Sequence, residues 1–267
     1  MSFFKNLFKP PAGNAAASPK PAAPAAPAAP PAAAAPAQYP AVPTQLPKIA
    51  APNAGQIAQS ASPSPAAQQV LAANPQQTPS QYLSGLQDKQ MGDDMVKTMA
   101  HGMPDREGVH WAAQSAEKVS DKLPPNEVQG MKAAQAWAKN PTPENQAAAA
   151  AAAAQGGCRG PGSLAAQGAA WSQPSTPATA GAAAAPRLTP HAVSGAVLMS
   201  SAIHANPAVA APAMTPPAIA AAPPPAVPAA PQAPAIVPPA VQAETFKQQY
   251  PFIKMGLDVA SGKTAVG

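Results

Sequence analysis

The side chains able to do covalent or metal chemistry are few and scattered: one cysteine, Cys158, and four histidines at 101, 110, 191 and 204. A thiol beside an imidazole makes a nucleophile pair, but nothing in the chain order brings Cys158 to His101, His110, His191 or His204. Cys158 therefore reads as a loop cysteine. The histidines also lack the i, i+4 spacing that sets two imidazoles on one helix face, and His101 and His110 stand nine apart across Pro104, so no metal is expected. His101 is expected near a helix C-terminus, where its charge or donor complements the dipole. Ser261-Gly262-Lys263-Thr264 resembles the end of a phosphate loop, but the first glycine should fall at Leu257, and Gly256 is one residue out of register. Gly156-Gly157-Cys158-Arg159-Gly160-Pro161-Gly162-Ser163 precedes a helix, so its amides and Arg159 could cradle an anion, or the loop could simply join two helices. No catalytic set, cofactor or small-molecule substrate is expected, and the chain reads as not an enzyme.

The sharpest candidate site is the first nine residues. Phe3, Phe4, Leu7 and Phe8 cluster on one face of a short helix, while Lys5 and Lys9 take another, and Ser2 can cap it. So concentrated an apolar face far from any core suggests docking: onto a partner's groove, an anionic membrane surface, or the chain's own bundle. A protein partner is the first expectation and a peripheral membrane-surface tether the alternative.

The elements that must position these residues follow from composition. Pro contributes 40 residues and Ala 72, about 42% of the 267, and Leu, Ile, Val and Phe together make only about 13%. Most of the chain cannot be core, which argues against a large single-domain enzyme. Residues 10–77 hold 16 prolines, with PAAPAAPAAPP running from Pro21 to Pro31, and read as a disordered, semi-stiff tether of polyproline type. Residues 206–243, with 12 prolines, read as a second disordered linker.

Charge is unevenly placed. Residues 1–77 carry four lysines and no acid, 78–205 carry nine charges of each sign, and the remainder adds one, which together give the net +5. A neutral folded part and four thinly spread lysines do not make a nucleic-acid surface. A single cysteine excludes an intramolecular disulfide. Met1–Phe8 is only half an apolar signal core and Pro10 interrupts it, and no run approaches the ~20 apolar residues of a membrane span. The location expected is cytoplasmic, with peripheral contact to the inner membrane as the variant.

Between the tethers, helix starts recur at Thr78-Pro79, Pro104-Asp105, Pro125-Asn126-Glu127, Thr142-Pro143-Glu144, Ser163 and Thr189-Pro190. Tyr82, Leu83 and Leu86, then Met95, Val96 and Met99, then Val109, Ala112, Ala116 and Val119, keep a period near 3.6. Ala147–Ala154 is a strong helix former that Gly156-Gly157 should end. Trp111, Trp137 and Trp171 are expected to fill a core otherwise built of small side chains. Phe246, Tyr250, Ile253 and Leu257 line one face of a helix over 244–262, with Pro251 as a kink or restart. Such a helix should dock back onto the bundle.

The runs Met99-Ala-His-Gly-Met-Pro-Asp-Arg-Glu-Gly-Val-His-Trp-Ala-Ala113, Ala134 to Gln146, Leu188 to Leu198 and Tyr250 to Gly262 resemble a bacterial domain-of-unknown-function family. The resemblance implies a small all-helical cytoplasmic protein, often encoded near type VI secretion or phosphothreonine-signalling genes; its motifs are packing motifs and carry no catalytic residues over. The expected organisation is a docking peptide 1–9, a tether 10–77, a helical bundle 78–205, a linker 206–243, a docked helix 244–262 and a tail 263–267. The fold class is all-α: a small bundle of short antiparallel helices with the C-terminal helix packed back. The function expected is that of a non-catalytic adaptor or scaffold.

Overall fold

The structure, a computed structural model, describes residues 39–172, 187–210, 238–264 and 266. The docking peptide 1–9, residues 10–38 of the first tether, residues 211–237 of the second linker and positions 265 and 267 of the tail lie outside the described residues. Among the described residues there are ten α-helices, two short 3-10 turns and no strand.

Six of these helices start at or within two residues of the signals read in the sequence. Thr78 caps α3 (Pro79–Asp88), accepting from the Gln81 amide at 3.3 Å while the Gln81 side chain accepts from the Thr78 N–H at 2.9 Å. Thr142 caps α7 (Pro143–Gly156), which Gly157 ends in the left-handed conformation, φ 62°. Helix α5 (Asp105–Glu117) follows Pro104, and α6 (Pro125–Lys139) follows Pro124. Two starts shift. Helix α8 (Pro161–Trp171) begins before Ser163, because Gly160 takes the cap and Pro161 the first turn. Helix α9 (Thr189–Ala205) has Leu188 at its cap, and the Thr189 hydroxyl instead donates to the Gly168 carbonyl of α8 at 3.3 Å. Helix α4 (Gly92–Gly102) precedes α5.

The inner layer joins α5, α6, α8 and α9 through small side chains. Ala112 and Ala113, Ala134 and Ala138, Ala165, Ala166 and Ala169, and Ala196 are all wholly buried. Side chains this short let helix axes approach closely, and the packing of these four helices uses that closeness. An outer layer supplies volume: Tyr82, Leu83 and Leu86 of α3, Met95, Val96 and Met99 of α4, and Trp111 of α5. Trp137 is buried too, but Trp171, the last residue of α8, is 42% exposed and contradicts its expected place in the core.

The C-terminal helix α10 (Pro239–Ala260) docks as expected, against α4, α5 and α9. It begins five residues before position 244 and runs through Pro251 without a break, so Pro251 marks no restart. A single proline removes one donor inside the helix, and the buried Phe246, Phe252, Ile253 and Leu257 hold both sides of it in place.

The reading of 10–77 as one tether is corrected. From Tyr39 onward the chain packs, with Val42, Leu46 and Ile49 buried, followed by α1 (Ala54–Ala61) and α2 (Pro65–Ala73). Pro52, Pro63, Pro65 and Pro75 fall at helix boundaries, where a missing N–H costs nothing; Pro65 occupies the first turn of α2. Asn53 and Ser64 cap the two helices, accepting from the amides of Gln56 at 3.1 Å and Ala67 at 3.2 Å.

Candidate functional site

The glycine-rich loop 156–162 holds an anion, and the anion belongs to the chain. Glu127, in the first turn of α6, reaches across to the start of α8, where the first helical amides lack partners and the dipole favours negative charge. Its Oε2 accepts from the Ser163 amide at 2.7 Å and its Oε1 from the Ser163 hydroxyl at 2.8 Å. The same hydroxyl accepts from the Gly160 N–H at 3.3 Å. Glu127 is 4% exposed and Ser163 fully buried. A Cβ on Gly160 would meet the Glu127 carboxyl, and one on Gly162 the Glu127 backbone carbonyl, so both glycines are needed for the close approach. Arg159, the other expected anion ligand, is exposed and takes no part.

A second carboxylate does the same work at the edge of the fold. Asp94 of α4 accepts from the Ser64 amide and the Ser64 hydroxyl, each at 2.8 Å, and so pins the start of α2 to α4. Two arginines close helices at the opposite polarity. Arg106 donates to the carbonyls of Ala138 at 2.7 Å and Lys139 at 3.0 Å, at the end of α6; Arg187 donates to the Met103 carbonyl at 3.2 Å, beside α4, and pairs with Asp105. These two border a groove of about 820 Å³, whose walls include Trp137, Pro141 and Pro143, and whose rim includes Ser172 and Arg187.

The histidines are brought together in a way their spacing does not suggest. His101, in the last turn of α4, meets His191 of α9 edge to face, ring centroids 4.8 Å apart, and its Nδ1 lies 3.2 Å from Ser60 Oγ of α1. Burial first, and then the charges of His191, Arg187 and Lys97, push its pKa down to about 4. A neutral imidazole cannot complement the helix dipole by charge, so the role expected for His101 reduces to its hydrogen bond. His110 is lowered as well, by burial and then by Arg106, and its buried Nε2 has no partner. His204 meets Phe252 edge to face, ring centroids 5.5 Å apart.

Cys158 is exposed, with its thiol 3.3 Å from Gln167 Oε1. Among the described residues no group of three or more His, Cys, Asp or Glu side chains gathers as a metal set. Ser261–Thr264 is a turn after α10, with the amides of Lys263 and Thr264 donating to the Asp258 carbonyl, so the segment closes a helix. No helix among the described residues is long and apolar enough to cross a membrane.

Sequence reasoning missed Glu127 and Asp94 because each looks like an ordinary acid of a helix first turn; their serine partners lie 36 and 30 residues away. The one usable signal was the glycine loop, whose sequence left open whether it cradles an anion or simply joins two helices.

The chain matches no curated protein and no solved structure. The profile of the family of unknown function DUF6931 matches residues 82–215, which spans α4 to α9 and most of α3 and is half of the chain, and the chain belongs to that family.

Proposed function

We propose that this protein is a non-catalytic helical scaffold that presents a docking peptide, Met1–Lys9, to a protein partner. The observation that carries the reading is the use made of polar side chains in the described module. Glu127, Asp94, Arg106 and Arg187 are all committed to helix ends, which stiffens a carrier. The peptide carries Phe3, Phe4, Leu7 and Phe8 beside Lys5 and Lys9, and 29 residues separate it from Tyr39. Fully extended at ~3.1 Å per residue, that spacer would reach about 90 Å. The two lysines beside four large apolar side chains support a second reading, in which the partner is an anionic membrane surface.

The test compares full-length protein with the Phe3→Asp/Phe8→Asp variant. Copurified proteins are identified, a labelled peptide of residues 1–9 is titrated with the purified partner, and flotation is measured on vesicles containing anionic lipid. The variant should lose the partner while keeping the melting temperature. Loss of flotation alone favours the membrane reading, and an unchanged partner set together with unchanged flotation sinks both.

A further inference from the structure

His101 stands where three elements meet, and one of them is held weakly. Helix α1 is eight residues long and buries only Ala54, Ile57 and Ala61; α2 buries only Ala67. Ile57 packs over Gly102, where an added Cβ would lie 3.1 Å from it, and the next residue back, His101, bonds Ser60 of the same helix. The charged groups acting on the imidazole are His191 of α9, Arg187 just ahead of α9 and Lys97 of α4, and each disfavours a second positive charge. Arg187 is itself paired with Asp105. Helix α1 contributes no ionisable side chain, and α10 meets α4 at its other end, through Gln249 and Asp93.

We propose that His101 is a proton-sensitive latch: neutral, it holds α1 against α4 and α9, and protonated, it releases α1 while the rest of the bundle and α10 stay folded. The polar contact it makes to Ser60 is small beside the cost of placing an imidazolium under α1 among Lys97, His191 and Arg187. Lifting α1 admits water to the ring and removes the burial part of that cost, the largest, while the three cations stay in place on the rest of the bundle.

The sign follows from linkage. The imidazole binds protons more tightly in the open form, shifted back toward the ordinary value of about 6.5, than in the closed form, at about 4, so acidification drives opening and the closed form is regained above neutral pH. Between pH 7.5 and pH 4.5 these two limits change the open-to-closed ratio by at most about 70-fold.

Amide exchange on the full chain, corrected for intrinsic chemical rates, tests the latch. Protection of α1 should fall severalfold, by at most about 70-fold, over that range, while α5, α6 and α8 keep theirs, and His101→Asn should abolish the fall. Equal protection of α1 at both pH values overturns the proposal. So does a simultaneous loss in all helices, or a fall that survives His101→Asn and so belongs to other groups. Should the variant not fold, the NMR titration of His101 in the unaltered chain decides: its midpoint must coincide with the loss of α1 protection, and a separate midpoint sinks the latch.

Discussion

Two segments outside the family match pack on the same helix, α4, and they are held by different physics. On one side, α10 brings a continuous apolar face, with Phe246, Phe252 and Ile253 wholly buried. Trp111 locks it in place: its indole N–H donates to the Phe252 carbonyl at 2.9 Å, and its ring lies where a Cβ on Gly256 would come within 2.7 Å. On the other side, α1 and α2 bring mostly alanine and are held by polar contacts to Asp94 and His101. Apolar burial is non-directional and indifferent to pH, whereas the contact made by a neutral imidazole depends on its protonation. The comparison teaches that one scaffold can carry a permanent element and a conditional one on adjacent faces.

The largest effect should come from ending the chain at residue 238. Phe246, Phe252, Ile253 and Leu257 contribute about 1.5–3 kcal/mol each if their burial is lost, or about 6–12 kcal/mol together. That is comparable with the whole stability of a domain, so the shortened chain should show no cooperative melting transition. An intact transition near the original temperature would erase the distinction between the two segments.

Glu127→Ala comes next. It leaves the buried Ser163 amide and hydroxyl without their carboxylate, at about 3 kcal/mol or more, and the urea midpoint of the whole bundle should fall. Glu127→Gln keeps one acceptor oxygen and should recover part of the loss.

Asp94→Asn should have the smallest effect, on the order of 1 kcal/mol, because Ser64 is half-exposed and water can replace the clamp. The effect should also be local, with α2 amides losing protection while the melting temperature barely moves. A global loss as large as that of Glu127→Ala would show that α1 and α2 are as integral as α8.

Much of the fold was legible. Thr78-Pro79 and Thr142-Pro143 fix helix starts through a local hydrogen bond and a preset φ, and Pro125 through the preset φ alone, and local causes are visible in a local string. The docking of α10 could be read because four large apolar residues at helical spacing need a surface. Residues 39–77 were misread for a related reason. Averaged over 68 residues, the proline content forbids helix, while the actual positions of Pro52, Pro63, Pro65 and Pro75 leave room for two short helices. The fate of Trp171 was not legible either, since a tryptophan on a helix near alanines has the same local pattern whether its face points inward or, as here, outward.

The sequence by itself determined the all-α class and most helix starts between Thr78 and Thr189, because each depends on residues within a turn or two of one another. Only the tertiary structure decided that the anion is Glu127, that Asp94 grips Ser64, and that His101 meets His191 across 90 positions. Such pairings follow from how helices with near-identical alanine faces choose their neighbours. That choice is made by the summed packing of the whole bundle, in which no single residue announces its partner.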